Sequence, residues 1–171
     1  MPPRPLAFHI TFGTYGTRLH GDERGTVHRG MNKPGEPILG GDDQWLQVES
    51  SLLKFDPVRL LDVQRAVAEA AIPNICKRGG WRYHVAAARP DHVHVLLSAT
   101  TDSKAVRRWF KRWLGESLSQ RWKLPDGATW WAECGSIKWV WTQEYFDHVF
   151  EYIRRQRLMP GSQTPAPSRT L

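Results

Sequence analysis

The sequence predicts an α+β domain in the order strand, helix, strand, strand, helix, strand, with one further helix at the end. Three observations predict it. Short stretches alternate apolar and polar residues with a period of two, as in Phe8, Ile10 and Phe12 against His9 and Thr11. Longer stretches between them repeat their apolar residues at helical spacing. Turn-forming groups such as Arg89-Pro90-Asp91 and Pro125-Asp126-Gly127 separate the two kinds. This order is the ferredoxin-like split β-α-β-β-α-β pattern with an antiparallel sheet.

The first strand is expected over Leu6 to Gly16. From residue 17 to 51 periodicity vanishes, and the Gly, Pro and Asp content predicts a long loop insertion. Asp56 is a suitable N-cap with Pro57 at the first helical position, so a helix is expected there. Val58, Leu61, Val67, Ala68 and Ala71 would be its buried stripe, and Pro73 should kink or end it. Strands follow over Trp81 to Arg89 and His92 to Ser98. A basic helix is expected from Ser103 to Trp122, with Val106, Phe110, Trp113 and Leu118 facing inward. A last strand runs around Ile137 to Trp141. A final helix runs from Gln143 to Leu158, capped by Thr142. Residues 1–158 read as one domain, and the Pro-, Ser- and Thr-rich tail 159–171 reads as disordered.

The chain has 171 residues, enough for one domain with a hydrophobic core. Its formal charge of +7 favours a polyanionic partner, of which nucleic acid is the commonest. The two cysteines, Cys76 and Cys134, exclude a disulfide framework and a four-cysteine zinc site. No apolar run is long enough for a membrane span, and the N-terminus lacks the apolar segment of a signal peptide. A cytoplasmic, nucleoid-associated protein without membrane partners is the expectation.

Chemistry concentrates in two places. His92 and His94 stand two apart on a strand, so both imidazoles share one face while Val93, Val95 and Leu97 take the other. Two such histidines can chelate one divalent ion. Alone, the spacing fits ordinary half-exposed strand histidines better than a metal site. On the last helix Phe146, Val149, Phe150 and Ile153 form the core face. Tyr145, His148, Tyr152 and Gln156 form the adjacent polar stripe, with Tyr152 and Gln156 projecting together. His148 reads as a surface residue. A metal held by His92, His94 and the side-chain oxygen of Gln156 could polarise a phosphate, with Tyr152 as covalent nucleophile. Tyr145 is the alternative nucleophile. Lys104, Arg107, Arg108, Lys111 and Arg112 on the basic helix, with Arg154 and Arg155, are the expected DNA-binding residues.

The run Arg89-Pro90-Asp91-His92-Val93-His94-Val95-Leu96-Leu97 resembles the HUH motif of single-tyrosine insertion-sequence transposases and of REP-associated tyrosine transposases. Tyr152-Ile153-Arg154-Arg155-Gln156 is similar to their nucleophile helix, with a Gln four positions after the tyrosine. Thr14 to Leu19 and Gly21 to Gly25 resemble a subgroup of the same family, so the likeness spans roughly Leu6 to Gln156. It implies a ferredoxin-like fold, a homodimer, Mg²⁺ or Mn²⁺, and single-stranded or hairpin DNA as substrate. It also implies an endonuclease that nicks and rejoins DNA in transposition through a 5′-phosphotyrosine. Two other readings stand beside it. One is a catalytically inactive DNA- or RNA-binding domain of the same fold. The other is a small zinc hydrolase using His92 and His94, against which the lack of an HExxH segment counts.

Overall fold

The computed structural model describes residues 3–17 and 43–158. Its elements are β1 (Ala7–Gly13), α1 (Asp43–Ser51), α2 (Asp62–Gly79), β2 (Arg82–Ala88), β3 (His92–Ser98), α3 (Ser103–Ser119), β4 (Ser136–Val140) and α4 (Gln143–Arg154). The strands form one antiparallel sheet in the order β2-β3-β1-β4. That order, with α2 and α3 as the crossovers, is the ferredoxin-like α+β fold the sequence predicts. Among the described residues no helix is long and apolar enough to cross a membrane.

Strand alternation divides the sheet into two unlike faces. Phe8, Ile10 and Phe12 lie opposite Leu97, Val95 and Val93, and all six are buried. They pack under Ala68, Ile72 and Ile75 of α2 and Val106, Phe110, Leu114 and Leu118 of α3. The alternate residues, Ala7, His9 and Thr11 of β1 with Leu96 and His94 of β3, take the second face. There α4 lies mainly over β2 and β3. Val149 and Ile153 bury themselves against Ala7, Val85, Ala87, Leu96 and Val140, worth roughly 1.5–3 kcal/mol for each side chain. Thr142 caps the helix as expected, its hydroxyl accepting from the Tyr145 N–H at 3.2 Å.

The first crossover helix departs from the sequence reading. It begins at Asp62, six residues after the expected cap Asp56. The Val58 and Leu60 N–H groups donate to the carbonyls of Tyr15 and Pro90, both at 2.8 Å, which holds this segment extended. Leu61, expected in the buried stripe, is exposed. Pro73 does not end the helix, which runs on to Gly79. Pro73 sits on the solvent side, where water can serve the carbonyl that loses its intrahelical donor. Gly80 then closes the helix in the left-handed conformation at φ 68°.

Other boundaries move by a turn or less. α3 stops at Ser119 instead of Trp122, and α4 at Arg154 instead of Leu158. Most of the expected 17–51 loop lies outside the described residues, but its last part, Asp43–Ser51, is helical. The expected tail 159–171 also lies outside them.

Candidate active site

His92 and His94 come from the first half of β3, on the face that α4 covers only in part. Their Nε2 atoms converge to 3.0 Å. His92 is held from behind: its Nδ1–H donates to the Asp91 carboxylate at 2.6 Å. That contact places a proton on Nδ1. Asp91 is itself buried in the turn. Its backbone carbonyl accepts from the Thr14 N–H at 2.9 Å and from the Thr14 and Thr17 hydroxyls, each at 3.2 Å.

His94 is held from the neighbouring strand. Its Nδ1 lies 2.9 Å from the Thr11 hydroxyl and 3.1 Å from His9 Nε2. His9 and Thr11 share this face because they alternate with the core residues Phe8, Ile10 and Phe12. Burial, and after it the Lys138 cation across the β1–β4 pair, push His9 down to about 4. His9 is therefore neutral near pH 7, a ring that can orient His94 without adding charge.

The N–N separation of 3.0 Å suits two arrangements. If both rings are neutral and His94 Nδ1–H donates to Thr11, both Nε2 atoms present lone pairs to one point, an arrangement that a bound cation would complete. Two nitrogens about 2.1 Å from one ion would stand about 3.0 Å apart at the right angle of octahedral coordination. If His94 instead carries its proton on Nε2, that N–H donates to His92 and Thr11 donates to Nδ1. Among the described residues no group of three His, Cys, Asp or Glu side chains is placed to hold a metal ion. The pair offers two imidazole donors, with Asp91 setting the Nδ1 proton of His92 and Thr11 able to serve either tautomer of His94.

α4 brings Tyr152 to this cluster. Its ring centre lies 5.5 Å from that of His94 and 6.4 Å from that of His9, both edge to face, and the side chain remains half exposed. Tyr145 sits seven residues earlier, about 10 Å back along the helix axis. His148 is exposed. Gln156 lies beyond the helix end, and its amide donates to the Tyr152 carbonyl at 3.4 Å. Its hydrogen bond is with that carbonyl and not with the histidines.

The end of α4 is tied down by a residue that sequence reasoning passed over. Glu69 of α2 is buried, and its Oε1 accepts from the N–H groups of Ala88 and Leu158, both at 3.0 Å. Oε2 faces Arg157 Nε at 3.7 Å. Beside it, Arg65 Nε donates to the Ala88 carbonyl at 2.7 Å. One carboxylate thus joins the end of β2, just before the Asp91 turn, to the segment just after Tyr152.

The basic helix lies away from the histidines. α3 packs on the opposite face of the sheet from His92 and His94. Arg107 donates to the Gly135 carbonyl, and Lys111 donates to the carbonyls of Ala132 and Glu133. These two cations hold the loop that leads into β4. Arg112 pairs with Glu116 at 3.1 Å and lies over the Trp109 ring. Lys104 and Arg108 are exposed on that far side. At the end of α4, Arg154 pairs with Glu151 at 2.8 Å, while Arg155 is exposed.

Comparison with known proteins leaves the family open. No family model matches the chain, and no curated protein matches it. Among solved structures, the chain is similar to a protein of Deinococcus radiodurans R1 provisionally assigned as a transposase. The identity is 14% and the TM-score 0.45, over 92% of this chain and 95% of that one. A likeness this distant carries no functional inference.

Proposed function

We propose that this protein is a metal-dependent endonuclease of the transposase type, which nicks and rejoins single-stranded DNA through a covalent bond to Tyr152. One observation carries the reading: the half-exposed Tyr152 ring stands edge-on to the same His94 whose Nε2 converges with that of His92. A tyrosine buried for packing alone would sit in the Val149 and Ile153 stripe instead.

His92 and His94 would hold the ion, Mg²⁺ or Mn²⁺, through Nε2. Gln156 is the proposed third ligand, and to serve it must release the Tyr152 carbonyl. The bound ion would supply Lewis-acid polarisation of the phosphate and positive charge that favours the phenolate. Asp91 keeps the proton of His92 on Nδ1, and Thr11 supports His94 as acceptor or donor. Tyr152 Oη attacks phosphorus as its proton leaves to solvent. The bond from phosphorus to the 3′ oxygen breaks, and that oxygen takes up a proton. The products are a 5′-phosphotyrosine and a 3′-hydroxyl, and the reverse attack by a 3′-hydroxyl rejoins the strand without an added energy source. A homodimer and a hairpin substrate belong to the same proposal.

The second tautomer arrangement supports one alternative, a strand-binding domain without chemistry. In it the histidine pair is joined by its own hydrogen bond. Incubation with single-stranded oligonucleotides and Mn²⁺, followed by peptide mapping of the adduct, separates the two. Wild type should give an adduct on the peptide carrying Tyr152, and Tyr152→Phe none. An adduct that persists in Tyr152→Phe and vanishes in Tyr145→Phe moves the nucleophile. No adduct from a wild-type protein that binds DNA supports the binding domain.

A further inference from the structure

We infer that the nucleic-acid strand lies across the β1–β4 half of the histidine face, where Lys138 grips a phosphate beside the one that Tyr152 attacks. This rests on the nuclease reading for the second phosphate, but the track itself follows from placement and charge.

α4 covers this face mainly over β2 and β3. The β4 residues Ser136 and Lys138 are exposed. Register places Ser136 opposite Thr11 and Lys138 opposite His9, so both share the face of the histidines. Directly paired residues in an antiparallel sheet stand only ~5 Å apart at Cα. A lysine stem of four carbons therefore puts its ammonium beside the cluster that Tyr152 flanks.

Several other cations are already engaged, while Arg155 is exposed one turn past Tyr152 and Arg82 is exposed on the outer strand β2. Arg65, Arg78, Arg112, Arg154 and Arg157 face carboxylates, and Arg107 and Lys111 face backbone carbonyls. Among the described residues Lys138 has no ion pair. Lys104 and Arg108 are also exposed, but the whole sheet separates them from Tyr152. A strand lying on α3 could not present a phosphate to the tyrosine. A strand over β1 and β4 meets Lys138, Ser136 and the open side of the Tyr152 ring together.

The test measures binding of a labelled 20-nucleotide single strand by fluorescence anisotropy between 50 and 200 mM salt. The protein is the full chain carrying Tyr152→Phe, so that no covalent product forms. Each phosphate neutralised on a single strand contributes about −0.7 to the slope of log affinity against log salt. Lys138→Gln should shrink the slope by about 0.7 and weaken binding several-fold, while Lys138→Arg restores both. An unchanged slope in Lys138→Gln overturns the inference. So does a loss of slope that appears only in Lys104→Gln/Arg108→Gln. Adduct formation by the protein with Tyr152 intact is scored in parallel. Binding with the predicted slopes but no adduct overturns the nuclease reading and leaves the track standing. An adduct with an unchanged Lys138→Gln slope overturns the track alone, and no binding at all overturns both.

Discussion

Replacing Glu69 by alanine should destabilise the protein more than its distance from the histidines suggests. Its Oε1 accepts two backbone N–H groups, those of Ala88 and Leu158, and the residue is 7% exposed. Each donor left unsatisfied in a buried place costs about 1–3 kcal/mol. Loss of the Arg157 contact adds little, because that guanidinium is 44% exposed and 3.7 Å away. The total is roughly 2–6 kcal/mol, a large part of a typical 5–15 kcal/mol stability. Glu69→Gln keeps an oxygen for both donors and loses only the charge assistance, so it should cost about 1–2 kcal/mol. Urea unfolding followed by tryptophan fluorescence measures both values. Amide exchange at Ala88 and Leu158 should accelerate in both variants, linking the loss to those two bonds. A Glu69→Ala protein within about 0.5 kcal/mol of wild type, a change typical of an inert surface site, would refute the reasoning. So would an order in which Gln is worse than Ala.

Two further outcomes are expected. Asp91→Ala removes the carboxylate that holds His92 Nδ1, and loss of such a partner typically weakens metal binding about 10–100-fold. Calorimetric titration with Mn²⁺ checks this, and an unchanged affinity sinks the tautomer role. Burial pushes the Cys76 thiol up to about 12, so essentially no thiolate forms in the native protein at pH 8. Cys134 is exposed. Thiol titration with a chromogenic disulfide at pH 8 should therefore count one reactive cysteine in the native state and two in denaturant. Two reactive thiols in the native protein would contradict the burial.

Much of this architecture was legible in the sequence because strand alternation is a strong signal. Phe8, Ile10 and Phe12 identified one face of β1, and the same alternation assigned His9 and Thr11 to the other. Their link to His94 was not visible, since it depends on β1 pairing with β3 across more than eighty residues. The start of α2 was misread for a different reason. Asp56-Pro57 carries a helix signal, but Val58 and Leu60 spend their donors on distant carbonyls. Glu69 and Arg65 escaped notice because hydrophobic periodicity looks for apolar residues on a buried stripe. Here two buried positions are charged and serve the backbone of Ala88.

The placement of the basic helix, by contrast, could have been deduced. In a sheet of this order both crossovers are right-handed, which sets α2 and α3 on one face. Val93, Val95 and Leu97 must then turn toward those helices, and His92 and His94 must turn away. Cations on the outer side of α3 are therefore separated from the histidines by a helix layer and a sheet. The same logic requires the proposed nucleophile to come from an element outside the two crossovers, since only such an element can reach the histidine face. α4 is that element: its Val149 and Ile153 anchor it there while Tyr152 stays half exposed. The charge that matters for a strand at this site is consequently not the largest cluster of basic residues. It is the cation whose strand position gives it the parity of His9, and on β4 that is Lys138.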